Sequence, residues 1–421
     1  MSTWANVIAL IVALTPQPVG ARLLATIPLG GSSVSSRVLV VGSINVDLYR
    51  RLDADSAAMI AGVAASLVNI KGMTLPAVSF VQKVPALSCE EDGEEALVLS
   101  MDGPFEQKTG GKGANAAAAA GQTTACEFLG NLGGASAKAN ALLLSDLSQY
   151  GAVDVSRCAT LPEVPTGTAY ILRYPDNDNA IVLIGGANQV WPEALALREG
   201  EEGAGLRAAI SGCVAVMLQR EVPPHVNVVT AELARAAGVP IFMDVGGTDA
   251  PLDVALMPLL STVAPNESEL TFISGVETRD EVGEVRGALL RAAVAALKEK
   301  FAAVGNTEVE VLVTMGSGGS VHFPSGWTLE SNAGVSSMGC YALATADGRP
   351  VDTTGAGDCF RGSYVAARYG EGKSVLEAMR WASAASSLAC EIDGAMPSMP
   401  TREAIAKRAA EPLATEVCLV D

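Results

Sequence analysis

From residue 37 onward the chain is punctuated by short runs of consecutive apolar residues, each ended by glycine or a polar residue. Residues 37–42 (RVLVVG), 213–218 (CVAVML), 239–245 (VPIFMDV) and 309–315 (VEVLVTM) are such runs. Their length and β-branched content predict strands buried on both faces. Elsewhere the apolar positions take helical spacing, over 226–237, 281–301, 356–369 and 375–390. Strands alternating with helices predict an α/β fold in which a mostly parallel sheet is covered on both faces.

Two stretches break that rhythm. Residues 166–174 and 179–185 alternate around Pro175-Asp176-Asn177-Asp178, the pattern of a β-hairpin. Residues 94–100 are a further strand candidate. Together they predict a small antiparallel lid, with strands from about 90–108 and 166–185, over one end of the main sheet. Residues 53–88 read as an insertion, Ala-rich with helical spacing over 57–68 and then interrupted by Pro76 and Pro85.

The two ends differ from the middle. Residues 7–14 (VIALIVAL) are apolar but too few to span a bilayer, and the first acidic residue of the chain is Asp47. Arg22, Arg37 and four serines at 32, 33, 35 and 36 complete a segment with the composition of an organellar transit peptide. A leader of 1–36, a main domain of 37–410 and a tail of 411–421 are therefore expected. The protein would be cytoplasmic, or plastid or mitochondrial if the leader is a targeting peptide.

Charge removes several classes of partner. With 28 Lys plus Arg against 46 Asp plus Glu, the net charge is 28 − 46 = −18. Such a chain has no general attraction to nucleic acid or to an anionic membrane, and any phosphate must be held by a few oriented backbone amides. The eight cysteines form no CxxC pair, and the two histidines, His225 and His322, lie far apart in sequence. Reduced thiols are expected, and a His-rich metal site is excluded.

Three glycine-rich segments carry candidate chemistry. Residues 351–361 read VDTTGAGDCFR and run into a helical pattern. Gly355-Ala356-Gly357 permits a sharp turn, after which the free N–H groups of a helix start can bind phosphate. Asp358 beside those amides suits a base that takes a proton from an attacking hydroxyl. An ordinary strand–turn–helix junction accounts for the same residues. Residues 110–115 read GGKGAN; Gly113 follows Lys112 where a Walker A loop needs Ser or Thr, and Glu106 stands where its first glycine belongs. Residues 42–47 (GSINVD) place Asn45 and Asp47 directly after a strand, where ligands of open α/β sheets bind. A turn in which both satisfy their own backbone is the alternative there.

In this order and spacing, GSINVD, GGKGAN, PNESE (265–269), VTMGSGG (313–319) and DTTGAGD (352–358) resemble the ribokinase family of carbohydrate kinases, the PfkB group, from about Arg37 to Arg402. The resemblance implies a ribokinase-like three-layer sandwich with a small β-sheet lid, and transfer of the γ-phosphoryl group of ATP to the 5-hydroxyl of a pentose, ribose above others. It implies Asp358 as catalytic base, with the backbone amides of Gly355, Ala356 and Gly357 as anion hole. Asn45, Asp47, Gly111, Lys112, Asn115 and Glu221 match the positions that hold the sugar. Asn266 and Glu269 match an element that organises Mg²⁺ through water, while Thr314, Gly316, Ser317 and Gly319 sit where the nucleotide binds. Asp352, Thr354, Ala389, Gly394 and Ser398 match a loop for a monovalent cation, K⁺. A homodimer through the lid is a further expectation.

The chain also departs from the family pattern. Sixty-two residues separate Asp47 from Gly110, Gly133-Gly134-Ala135 carries no acid where the family has one near the sugar, and Asn115 is followed by Ala116. The cation loop is acidic at Glu391 and Asp393. The same fold could serve deoxyribose, fructose or a nucleoside, or a non-catalytic sugar- or nucleotide-binding role.

Overall fold

The run at 37–42 forms a strand buried on both faces. In β1 (Val38–Val41), Val38 and Val40 enter one hydrophobic core, and Leu39 and Val41 enter the other. Each such side chain contributes about 1.5–3 kcal/mol by leaving water. The structure is a computed structural model and describes residues 36–51, 74–76, 106–134, 137–173, 179–248, 250–331, 333–415 and 417.

The strands that follow are β2 (Asn45–Arg51), β3 (Thr74–Pro76), β4 (Glu106–Gly110), β5 (Cys126–Leu129), β6 (Asn131–Gly133), β7 (Val153–Asp154) and β8 (Ala159–Leu161). Then come β9 (Gly167–Arg173), β10 (Asn179–Ile184), β11 (Ala215–Leu218), β12 (Ile241–Asp244), β13 (Thr262–Ala264), β14 (Glu310–Thr314), β15 (Ser320–Phe323) and β16 (Ser336–Met338). The helices are α1 (Lys112–Gly121), α2 (Ala137–Ser148), α3 (Ala194–Glu199), α4 (Ala204–Ser211) and α5 (Pro224–Ala236). They continue with α6 (Glu267–Ser274), α7 (Gly287–Ala303), α8 (Ala356–Val365), α9 (Val375–Ala389) and α10 (Arg402–Ala409).

Nine strands form the main sheet in the order β16-β15-β14-β13-β12-β11-β1-β5-β7. From β7 to β14 every neighbour is parallel; at the far edge β15 runs antiparallel to both β14 and β16. Helices α1, α2, α8, α9 and α10 pack on one face and α3 to α7 on the other, which gives the expected three layers. The chain leaves β1 first toward β5 and later returns to its other side as β11. A crevice therefore opens beyond the carboxyl ends of β1 and β11, where open α/β sheets bind ligands.

Helix α1 reads KGANAAAAAG, and all of it from Gly113 to Gly121 is buried. Small side chains let it lie almost against α8: a Cβ on Gly362 would come within 2.3 Å of the Ala116 carbonyl oxygen. That close approach brings the starts of the two helices together.

The lid is a five-stranded sheet, β3-β10-β9-β2-β4. The hairpin expected around 175–178 is present as β9 paired antiparallel with β10. Two features differ from expectation. The lid is mixed rather than antiparallel, since β2 runs parallel to β9, and β3 parallel to β10. GSINVD is also more than a polar strand end, because Asn45 opens a seven-residue lid strand. Burial alternates along it, with Asn45, Asp47 and Tyr49 buried and Val46 and Leu48 half-buried. In that strand the side chains on the buried face are polar, so the alternation carries no apolar signal.

Two helices also start or stop elsewhere. α7 begins at Gly287 rather than 281, because the Asp280 carboxylate gathers the N–H groups of Val282 and Glu284 and the Arg286 guanidinium into a turn. α8 ends at Val365 and continues to Gly370 as a wide turn. Of the proposed 53–88 insertion only β3 is described; the candidate strand at 94–100, residues 1–35 and the end of the tail lie outside the described residues. Among the described residues no helix is long and apolar enough to cross a membrane, and the six cysteines are free.

Candidate active site

Asp358 is the third residue of α8, whose N-cap Gly355 has φ 77°, a left-handed conformation that favours glycine. A Cβ there would also approach Ala395 to 2.9 Å. Among the described residues the N–H groups of Gly357 and Asp358, in the first helical turn, have no backbone acceptor, as at other helix starts. The N–H of Ala356 donates to the Thr353 carbonyl at 3.2 Å.

The buried Asp358 carboxylate is held from both sides by α1. Lys112 Nζ donates to Oδ1 at 2.9 Å, and Asn115 Nδ2 donates to Oδ2 at 2.9 Å. Gly111, at φ 94°, makes the turn that starts α1; a Cβ there would lie 2.9 Å from the Asn45 amide. At Gly113 it would lie 2.7 Å from the Ser43 amide. Glycines in GGKGAN thus let the helix start press on the 42–45 backbone.

The sugar-side residues meet at that junction. Glu221 Oε2 accepts from Ser43 Oγ at 2.5 Å and from the Lys112 backbone N–H at 3.1 Å. Asn188 Nδ2 donates to Asn45 Oδ1 at 2.7 Å, and its Oδ1 accepts from the Ile44 N–H at 3.1 Å. Asp47 and Asn115 are buried, yet Asp47 Oδ1 and Asn115 Oδ1 have no hydrogen-bond partner among the described residues. Buried polar atoms are ordinarily paired, so these two oxygens mark a place for donors from a ligand.

A chain of alternating charges runs from Asp358 across the sheet ends. Lys112 Nζ also contacts Asp244 Oδ2 at 3.1 Å; Arg361 Nη1 reaches the same oxygen at 3.4 Å, and Arg361 Nη2 reaches Glu269 Oε2 at 3.2 Å. Asn266 caps α6 through Oδ1, and Glu269 returns the bond to the Asn266 N–H at 2.8 Å. Asn266 is bridged to Thr314, so the segment expected to organise Mg²⁺ adjoins the loop expected to hold the nucleotide. In that loop Gly316 and Ser317 are exposed, and Gly319 turns at φ 85°. The tail is tied to this end of the molecule: the Ala414 N–H donates to the Cys340 carbonyl at 2.8 Å, and Cys340 Sγ donates to Gly316 O at 3.2 Å.

The loop matched to a monovalent cation is organised by Asp352. Its Oδ1 accepts from the Thr354 N–H and hydroxyl, and its Oδ2 from the Gly394 N–H at 2.9 Å. Ala389 ends α9, and Ser398 closes the loop by donating to the Ala395 carbonyl at 2.7 Å. Lys108 of the lid strand β4 pairs with Asp393 beside Gly394. Every site residue expected from the sequence therefore falls in one of three adjoining places: the Asp358 pocket, the metal–nucleotide edge or the Asp352 loop. Ser43, Asn188, Asp244 and Arg361 were not anticipated. Asp244 had a usable signal, since it is the polar end of an apolar strand, IFMD. Ser43 lies inside GSINVD and Arg361 just past DTTGAGD, but neither was singled out there, and Asn188 belongs to no motif.

Burial sets the protonation of this cluster. It raises the Asp47 carboxyl well above the usual range, with Glu221 and Asp358 adding repulsion. Burial also raises Glu221, although Lys112 and Ser43 oppose the shift. For Asp244 burial pushes up but Arg361 and Lys112 prevail, holding it low; Lys112 is kept charged by Asp244 and Asp358 despite its own desolvation. At pH values above about 4 the native state thus binds more protons at Asp47 and Glu221 than the unfolded chain does. Stability should fall as pH rises toward the raised native values, by up to about 1.4 kcal/mol per unit for each proton. Asp47→Asn should flatten the fall in Tm as pH rises above about 4. Parallel melting curves for parent and variant across that range would show that the buried charge is not the cause.

With the geometry in place, comparison with known proteins gives one answer. The family model for pfkB family carbohydrate kinases matches residues 86–402. Ribokinase of Arabidopsis thaliana is 34% identical over 301 residues, 71% of this chain and 71% of that protein. Ribokinase of Haemophilus influenzae is 29% identical over 296 residues, 70% of this chain and 85% of that protein. Among solved structures, Arabidopsis thaliana ribokinase complexed with ribose and ATP superposes with a TM-score of 0.65 at 29% identity, covering 90% of this chain and all of that one. Ribokinase of Cryptococcus neoformans in complex with ADP gives 0.63 at 25% identity, over 89% of this chain and all of that one. The matched family model spans most of the chain and the relatives are ribokinases, so this chain belongs to the pfkB family of carbohydrate kinases as a sugar kinase of the ribokinase type.

Proposed function

We propose that the chain transfers the γ-phosphoryl group of ATP to the 5-hydroxyl of D-ribose. The observation that carries this reading is the pair of unpaired buried oxygens, Asp47 Oδ1 and Asn115 Oδ1, beside a carboxylate held by Lys112 and Asn115. A polyhydroxyl ligand supplies donors for both. With the sugar seated on Asn45, Asp47 and Glu221, the Asp358 carboxylate accepts the proton of the 5-hydroxyl. The bond from that oxygen to the γ-phosphorus forms as the bond to the β-γ bridging oxygen breaks, and ADP leaves. The amides at the start of α8 face the charge that develops on the transferring group. Burial of the pocket excludes water, which would otherwise compete with the sugar as acceptor.

Asn266 and Glu269 suit Mg²⁺: Glu269 spends Oε2 on the Asn266 amide and Arg361, and its Oε1 lies 2.6 Å from where a Cβ on Gly246 would stand. Mg²⁺ bound with the nucleotide neutralises phosphate charge there. K⁺ at the Asp352 loop belongs to the same proposal, supported by a carboxylate, a hard oxygen donor, that clamps Thr354 and Gly394 across the loop. So does a homodimer through the lid, whose edges in the described residues are β3 and β4.

A panel of ribose, deoxyribose, fructose and adenosine, each with ATP and Mg²⁺ and with either K⁺ or choline as counter-cation, tests the reading. Ribose should give the highest kcat/KM, and replacing K⁺ by choline should lower turnover. Preference for another acceptor would reassign the sugar, and binding of ribose without ATP consumption would make the protein a sugar-binding homologue.

A further inference from the structure

Arg361 is a buried arginine that no motif of the family resemblance required. It sits one helical turn beyond the anion-binding start of α8, and a Cβ on Gly357 would lie 3.0 Å from its Nη1. Each nitrogen of the guanidinium has an acceptor. Nε donates to the Ala264 carbonyl at 3.1 Å, Nη1 to Asp244 at 3.4 Å and Nη2 to Glu269 at 3.2 Å. One side chain therefore joins the carboxyl ends of β12 and β13 to α6 and α8.

We propose that Arg361 is a positioning residue that aims Glu269 at the metal of the nucleotide and couples that carboxylate to the catalytic base. The inference rests on the kinase reading above. Arg361 and the Asn266 amide both take Glu269 Oε2, which fixes the carboxylate plane and turns Oε1 toward Gly246. The Lys112 side chain lies against the same glycine, with Nζ 3.1 Å from the same Cβ position. Glu269 Oε1 and the ammonium that holds Asp358 thus share one small space, kept open because residue 246 has no side chain. Through Asp244 the guanidinium also acts on Lys112, because an ionised Asp244 draws the ammonium that holds Asp358. The metal element and the base become two ends of one charge chain, Glu269–Arg361–Asp244–Lys112–Asp358. Lysine in place of arginine keeps the charge but loses the fork that spans two carboxylates.

The test compares Arg361→Met, Arg361→Lys and Asp244→Asn in the full chain. Calorimetry measures ADP binding with and without Mg²⁺, and kinetics give kcat, KM for ribose and half-saturating Mg²⁺. Arg361→Met should cut the Mg²⁺-dependent gain in ADP affinity about tenfold and kcat about 100-fold, with KM for ribose within about threefold. Arg361→Lys should recover part of both. Asp244→Asn should lower kcat while keeping the Mg²⁺ gain, because Glu269 remains clamped. Removing Arg361 leaves two buried carboxylates unpaired. If the Met variant does not fold, the Lys variant decides, with an expected loss of about threefold or more in the Mg²⁺ gain. An unchanged or enlarged gain in the variant that folds overturns the proposal, as does a fall in kcat that only tracks the folded fraction. ADP binding is read without turnover, so an inactive parent would refute the kinase reading and leave this measurement standing.

Discussion

Asp358→Asn should lower kcat by about three orders of magnitude while ribose and ATP dissociation constants stay within about fivefold. The amide keeps the shape of the carboxylate and still offers an oxygen to Lys112 Nζ, but it has no basicity with which to take a proton from the sugar. Only the bond from Asn115 Nδ2 to Oδ2 is lost, the Lys112 contact keeps the helix in place, and Asn115 Oδ1 stays open to the sugar. Binding should therefore persist as turnover disappears. Single-turnover kinetics with calorimetric binding check this, and a loss of turnover below tenfold would remove Asp358 from the role of base.

Gly110→Ala should raise KM for ribose by roughly 30- to 150-fold and leave KM for ATP nearly unchanged. A Cβ at residue 110 would stand 1.8 Å from Asp47 Oδ2 and within 2.6 Å of all three carboxyl atoms. The three nearest atoms all belong to the Asp47 side chain rather than to backbone, so the change is absorbed by swinging that side chain. The fold survives and the sugar contact does not. A buried hydrogen-bonding group left without its partner costs about 1–3 kcal/mol, and the upper part of that range sets the size of the effect. Steady-state kinetics with each substrate varied in turn decide it; equal changes in both KM values would indicate a general distortion of the β4–α1 junction rather than loss of the sugar contact.

The two substitutions act on opposite sides of the same proton transfer, and they separate chemistry from binding. Arg361 stands behind both, because it adjusts the field at Lys112 and Glu269 without being assigned a contact with either substrate.

The sequence by itself determined the strand cores, the helix start at Gly355 and the glycine turns of GGKGAN, because these follow from local rules. A run such as VLVV is buried on both faces wherever the sheet lies, and a left-handed turn needs glycine wherever it occurs. The placement of Asp358, Lys112 and Asn115 at two glycine-started helix ends was legible for the same reason: those residues lie within short, ordered motifs. What only the tertiary structure decided is how distant polar groups pair. Asn45–Arg51 became a lid strand because β9 and β4 flank it on both sides, and its buried face is polar, so no apolar alternation announced it. Asp244 and Arg361 lie 117 residues apart and meet only because β12 and α8 reach the same end of the sheet. Local sequence pattern reports the cost of burying a residue, whereas the partner that offsets that cost is chosen by the topology.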